Sequence, residues 1–143
     1  MRPDCAFGLA LTVCAVFVAL ALWHFYMVVA PPRGESGAVP SVEGKPLFVP
    51  STLATVAVGI ALLSFAVLVA ATAGLVPLPL PRLVLVWLCY GLALGLLARA
   101  IGEFNHVGFF KRVRGSRFAT LDTWLYSPLC LLLAIGVALV AWL

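Results

Sequence analysis

The chain has 143 residues, of which 64% are hydrophobic and only 10% charged. A soluble globular domain carries about 25% charged residues, so the composition excludes one and calls for a membrane protein. The net charge of +4 is local, because the segment from Arg99 to Asp122 holds seven of the fourteen acidic and basic side chains. That pattern suits phosphate headgroups rather than a nucleic acid.

Four stretches meet the requirement of about 20 mostly apolar residues for a membrane span. The first runs over residues 5–30 and ends in Trp23, His24, Phe25 and Tyr26 before Pro31-Pro32. Val28-Val29-Ala30 resembles a signal-peptide cleavage site, but the apolar run is far longer than the about 7–15 residues of a signal core, so a retained span is expected. The connection Pro31–Ser51 is rich in Gly and Pro and carries Arg33, Glu35, Glu43 and Lys45. Residues 52–76 form the second span, which stops at the Pro77-Leu-Pro-Leu-Pro81 run. Residues 83–104 form the third and 121–143 the fourth. The expected fold is all-α: one transmembrane domain over 1–143, a four-helix up-down bundle.

Cys5, Cys14, Cys89 and Cys130 show no C-x-x-C and no paired Cys/His spacing, which argues against thiol redox chemistry and zinc. His24 and His106 raise the question of haem. Two histidines near one membrane face are more simply interfacial residues, and no cofactor or metal is expected.

Orientation follows from Lys and Arg near the span ends. The first and third connections carry Arg33, Lys45, Lys111, Arg112, Arg114 and Arg117, whereas the other side has Arg2 and Arg82. The connections therefore face the cytoplasm and both termini face out.

Up-down topology brings the ends bearing His24, Tyr26, Arg99, Glu103, Asp122 and Tyr126 to one face. Arg99, Glu103 and His106 fall at i, i+4 and i+7, on one side of the third helix if it continues that far. Arg99 could snorkel to the interface with Glu103 as its partner, or the pair could face the bundle and hold a polar ligand or relay protons. Asp122 opens the fourth span with Thr120 as a candidate cap; alternatively it faces Arg99 or Lys111 and organises the third connection. Pro128 predicts a kink that aims the Tyr126 phenol inward. Trp23, Tyr26, Trp124 and Tyr126 also suit an aromatic belt. Gly91 and Gly95 form a small-x-x-x-small pair that favours close helix packing. Between Phe104 and Phe118, aromatic side chains interleave with Lys111, Arg112, Arg114 and Arg117, as in a segment lying in the headgroup layer.

The residues Arg99-Ala-Ile-Gly-Glu-Phe104, Gly108-Phe-Phe-Lys-Arg112, Phe118-Ala-x-x-Asp-Thr123 and Tyr126-Ser-Pro-Leu129, with His24-x-Tyr26, resemble a bacterial family of small four-span membrane proteins of unknown function. The resemblance covers nearly the whole chain. It implies a multi-pass protein of the bacterial inner (cytoplasmic) membrane and carries no activity with it.

Two functional expectations follow. In the first, the charged end binds a lipid-like or isoprenoid-like amphiphile and transforms it by isomerisation, cyclisation or hydrolysis. Glu103, Asp122, His24 and Tyr26 would be the acid–base candidates, and Arg99, His106, Lys111, Arg112 and Tyr126 the binding residues; five of these, His24, Tyr26, Arg99, Glu103 and Asp122, should line one polar pocket beneath the third connection. In the second, the chain is a non-enzymatic subunit or scaffold whose basic end sets topology and docks a protein partner or a second copy.

Overall fold

The computed structural model describes residues 3–30, 39, 41–42, 45–46, 49–102, 106–112 and 115–143. Glu103, Arg114 and Arg33 lie outside the described residues. The chain forms α1 (Pro3–Val29), a two-residue antiparallel pair β1 (Ser41–Val42) and β2 (Lys45–Pro46), then α2 (Thr52–Thr72) and α3 (Arg82–Ile101). It ends with α4 (Arg117–Leu121), a π-helical turn (Asp122–Tyr126) and α5 (Ser127–Trp142), which make one continuous helix. Four helices are long and apolar enough to cross a membrane: Ala6–Val29, Thr52–Thr72, Arg82–Ile101 and Arg117–Trp142.

Sequence chemistry sets the ends of these helices. Ser51 caps α2 by accepting a hydrogen bond from the Ala54 amide at 3.1 Å, satisfying one orphan N–H of the first turn. At the other end, Leu75 N–H donates to Ala70 and Gly74 N–H to Ala71, with Gly74 at φ +75°. This paired closure needs a left-handed residue, and it ends α2 at Thr72, four residues before the apolar run stops. Pro77, Pro79 and Pro81 then carry the chain into α3, since proline cannot prolong a helix beyond its first turn.

The bundle is built from two tightly packed hairpins, α1 on α2 and α3 on α5, which meet through α2–α3 and α1–α5 contacts. Phe17, Val69, Cys89 and Val137 are fully enclosed at the centre. Phe17 sits edge-on to Phe65 with centroids 5.9 Å apart. Small residues let the backbones approach: a Cβ on Gly136 would lie 2.8 Å from Val13 Cγ2, too close for a stiff β-branched neighbour to yield easily. Leu22, Leu53, Trp87, Leu94 and Leu132 point outward, the surface a bilayer would solvate.

Gly91 and Gly95 do not serve the packing expected of them. Both are exposed, and a Cβ on either would meet nothing within 4 Å. Their face of α3 points away from the other helices of the bundle.

Candidate functional site at the charged end

α3 stops at Ile101, because Gly102 adopts φ +85° and turns the chain out of the helix. The i, i+4, i+7 face through Arg99 and His106 therefore does not persist, and the connection instead folds back on the helix end. Phe109 N–H donates to the Ala100 carbonyl at 3.0 Å, satisfying an acceptor that the helix leaves free. Gly102 and Gly108 (φ +93°) touch backbone to backbone. A side chain on Gly102 would run into the Val107 carbonyl, and one on Gly108 into the Ile101 carbonyl. Both positions demand glycine for conformation and for space.

The fourth helix begins at Arg117, four residues before the expected start. Its cap is Ser116, whose hydroxyl accepts from the Ala119 amide at 3.1 Å, and not Thr120, whose hydroxyl turns back to the Ser116 carbonyl. Asp122 is consequently inside the helix and does not cap it. Its backbone N–H is already bonded to Phe118 and Ala119 carbonyls, and its side chain is free to project into the bundle.

There Asp122 is the hub of a buried polar cluster. Its side chain is 0% exposed, and Oδ1 accepts from Arg99 Nη2 at 2.9 Å. Oδ2 accepts from Lys111 Nζ at 2.9 Å and from the Gly108 amide at 2.7 Å. Lys111 is itself buried, and its ammonium also donates to the Gly108 carbonyl at 3.1 Å and to Thr123 Oγ1 at 2.6 Å. A carboxylate at this depth would be costly alone; two cations and an amide offset its desolvation. The cluster joins α3, the third connection and the fourth helix at one point.

The π turn makes this geometry. Ser127 N–H donates to the Asp122 carbonyl, five residues back, which inserts one residue per turn and brings Asp122 and Ser127 to the same side of the helix. Pro128 follows directly, and its missing N–H is tolerated where the regular ladder is already broken. Where a proline kink was expected, the helix has a π turn over Asp122–Tyr126. Tyr126 is half-buried, its ring 5.9 Å from that of Phe118. Ser127 is also 0% exposed, and its hydroxyl and Arg99 Nη1 are buried polar atoms without a hydrogen-bond partner among the described residues.

Depth follows from helix rise. Arg99 lies roughly 25 Å along α3 from Arg82, and Asp122 roughly 30 Å from Trp142, at 1.5 Å per residue. Both distances place the cluster near the edge of a hydrocarbon core about 30 Å thick.

Not all of the expected pocket assembles. Tyr26 is 59% exposed and its ring lies 5.8 Å from that of Trp23, on the outer surface of α1. His24 is half-buried and Nδ1 donates to the Leu20 carbonyl of its own helix at 2.7 Å. Neither is bonded to the cluster, so the convergence of five side chains expected from topology reduces, among the described residues, to Arg99 and Asp122. Lys111 and the Gly108 amide join them, and Ser127 was not foreseen. His106 is half-buried in the connection, while Arg112, Phe110, Arg117 and Trp124 are exposed around it. Among the described residues no group of three or more His, Cys, Asp or Glu side chains could hold a metal ion.

A family model described as a protein of unknown function (DUF3995) matches residues 17–137. The chain belongs to that family. Neither the curated proteins nor the solved structures contain a match to it. The matched region contains the whole cluster, from Arg99 to Ser127, with all of α2 and α3, most of the fourth helix and about half of α1.

Proposed function

We propose that the chain is a multi-pass protein of the bacterial cytoplasmic membrane that binds anionic amphiphiles at its charged, cytoplasmic end without transforming them. The observation that carries this reading is the clamped third connection. Lys111 and Gly108 are tied to Asp122, and the same segment leaves Phe110 and Arg112 exposed, with Arg117 and Trp124 exposed on the helix that follows. A fixed rim of arginines and aromatic rings at the hydrocarbon edge matches anionic headgroups above and acyl chains below.

Acid–base catalysis by Asp122 is disfavoured by its bonding. Both oxygens accept strong hydrogen bonds from three donors, so the carboxylate has little capacity left to take or give a proton during a reaction. Lys111, engaged with the same carboxylate, holds the connection rather than a ligand.

Thermal stability in nanodiscs tests the proposal. The protein should melt several degrees higher in discs containing phosphatidylglycerol than in pure phosphatidylcholine, and added salt should shrink the difference. Replacing Arg112 and Arg117 by Gln should remove about half of it, since each basic residue near an anionic surface contributes about 1 kcal/mol. Equal melting in both lipids overturns the reading.

A further inference from the structure

Two buried polar atoms at the charged end have no use in the clamp. Arg99 Nη1 has no hydrogen-bond partner among the described residues, although the Nη2 of the same guanidinium is held by Asp122 at 2.9 Å. Ser127 Oγ, on a residue 0% exposed, is likewise unpartnered. The two belong to one locality. Arg99 reaches the Asp122 carboxylate from α3, and Ser127, one π turn beyond, donates its backbone N–H to the Asp122 carbonyl. A hydroxyl inside a regular helix commonly bonds the carbonyl four residues back, as Thr72 does to Leu68 at 2.8 Å and Thr123 to Ala119 at 3.0 Å. Ser127 does not. Buried polar atoms in native proteins are nearly always partnered, and each exception calls for a physical account.

We infer that Arg99 Nη1 and Ser127 Oγ form a subsite for a phosphate oxygen of one stoichiometrically bound amphiphile. Arg99 Nη1 can only donate and is charged, and the Ser127 hydroxyl can donate as well as accept; an oxyanion accepts from both at once. The depth argues for a phosphate ester at a lipid headgroup, because the cluster lies at the edge of the hydrocarbon core, where that group sits. The Arg99 side chain as a whole retains 36% exposure although Nη1 itself is covered, so a ligand oxygen would reach that nitrogen along the side chain by displacing its cover. Asp122 acts here as a positioning residue: it fixes one edge of the guanidinium and so aims the other. The inference rests on the proposed binding of anionic amphiphiles and narrows it from a surface to a single site.

The test is native mass spectrometry of the full chain released from nanodiscs, joined to thermal titration with a short-chain phosphatidylglycerol in detergent. The wild type should retain one phospholipid and gain several degrees on titration. Ser127→Ala should weaken the titrated affinity at least tenfold and lose the retained lipid, while melting no lower than the wild type without lipid. Arg99→Lys, which keeps the charge but not the second arm of the fork, should weaken it similarly. Inorganic phosphate is the second arm. No shift with phosphate identifies the ligand as a lipid headgroup, whereas a shift that Ser127→Ala abolishes identifies a free oxyanion at the same subsite. Unchanged lipid retention and affinity in Ser127→Ala overturns the subsite. The basic rim is judged separately: loss of the composition dependence in Arg112→Gln/Arg117→Gln with Ser127→Ala silent leaves the rim and removes the subsite. The reverse pattern leaves the subsite and removes the rim.

Discussion

Lys111 Nζ lies 2.9 Å from Asp122 Oδ2, and both side chains are buried. This contact ties an otherwise irregular connection to the fourth membrane helix, and it does so with the only carboxylate that the described cluster contains. The architecture around it resembles a latch: Gly108 bonds to the same oxygen, and Arg99 holds the other.

Removing the hub should therefore cost more than removing a spoke. Asp122→Asn leaves Lys111 buried without its carboxylate and is expected to lower stability by about 3 kcal/mol. Arg99→Gln should cost about 1 kcal/mol, because Arg99 is 36% exposed and solvent screens its contribution. Thermal or denaturant unfolding in detergent measures both. An effect of Asp122→Asn below that of Arg99→Gln contradicts the hub assignment.

The glycines of the connection are predicted to differ sharply. Gly115→Ala meets open space, so only its φ of +101° opposes the change, a cost of about 1–2 kcal/mol. Gly102→Ala and Gly108→Ala add a collision with backbone atoms that cannot move aside and should each exceed about 3 kcal/mol. Proteolysis of the connection in the folded protein provides a second readout, since both variants should expose it to cleavage and Gly115→Ala should not.

Within the membrane helices the expected signs are opposite. Gly136→Ala forces a methyl group against Val13 and should destabilise by about 1–3 kcal/mol. Gly91→Ala enters open space on the outer face of α3 and should be neutral or stabilising by up to about 1 kcal/mol. A destabilising Gly91→Ala would indicate that another helix covers that face.

Topology is testable directly. Reporters fused to both termini should give signals of the non-cytoplasmic side, and one inserted in the third connection should give a cytoplasmic signal. The expectation rests on six basic residues in the first and third connections against two on the other side. A cytoplasmic C-terminus would place the charged end outside the cell.

The four helices, the proline turn after α2 and the concentration of charge at one end could all be read from the sequence. They follow from local composition: a bilayer demands long apolar runs, prolines stop helices, and ionised groups collect where water reaches them. The sequence also allowed Asp122 to meet Arg99 or Lys111, but it favoured capping. Only the tertiary structure decided between them, because Ser116 starts the helix early and so places Asp122 in its interior. Similarly, His24 and Tyr26 share a membrane face with the cluster, yet helix rotation carries Tyr26 to the outer surface and turns His24 to its own backbone. Periodicity sets which residues share a helix face; only packing sets which way the face points. Ser127 escaped notice for a related reason. A serine in an apolar helix ordinarily bonds its own backbone, and its exception here arises from the π turn, one inserted residue that no local pattern around Tyr126-Ser127-Pro128 marks.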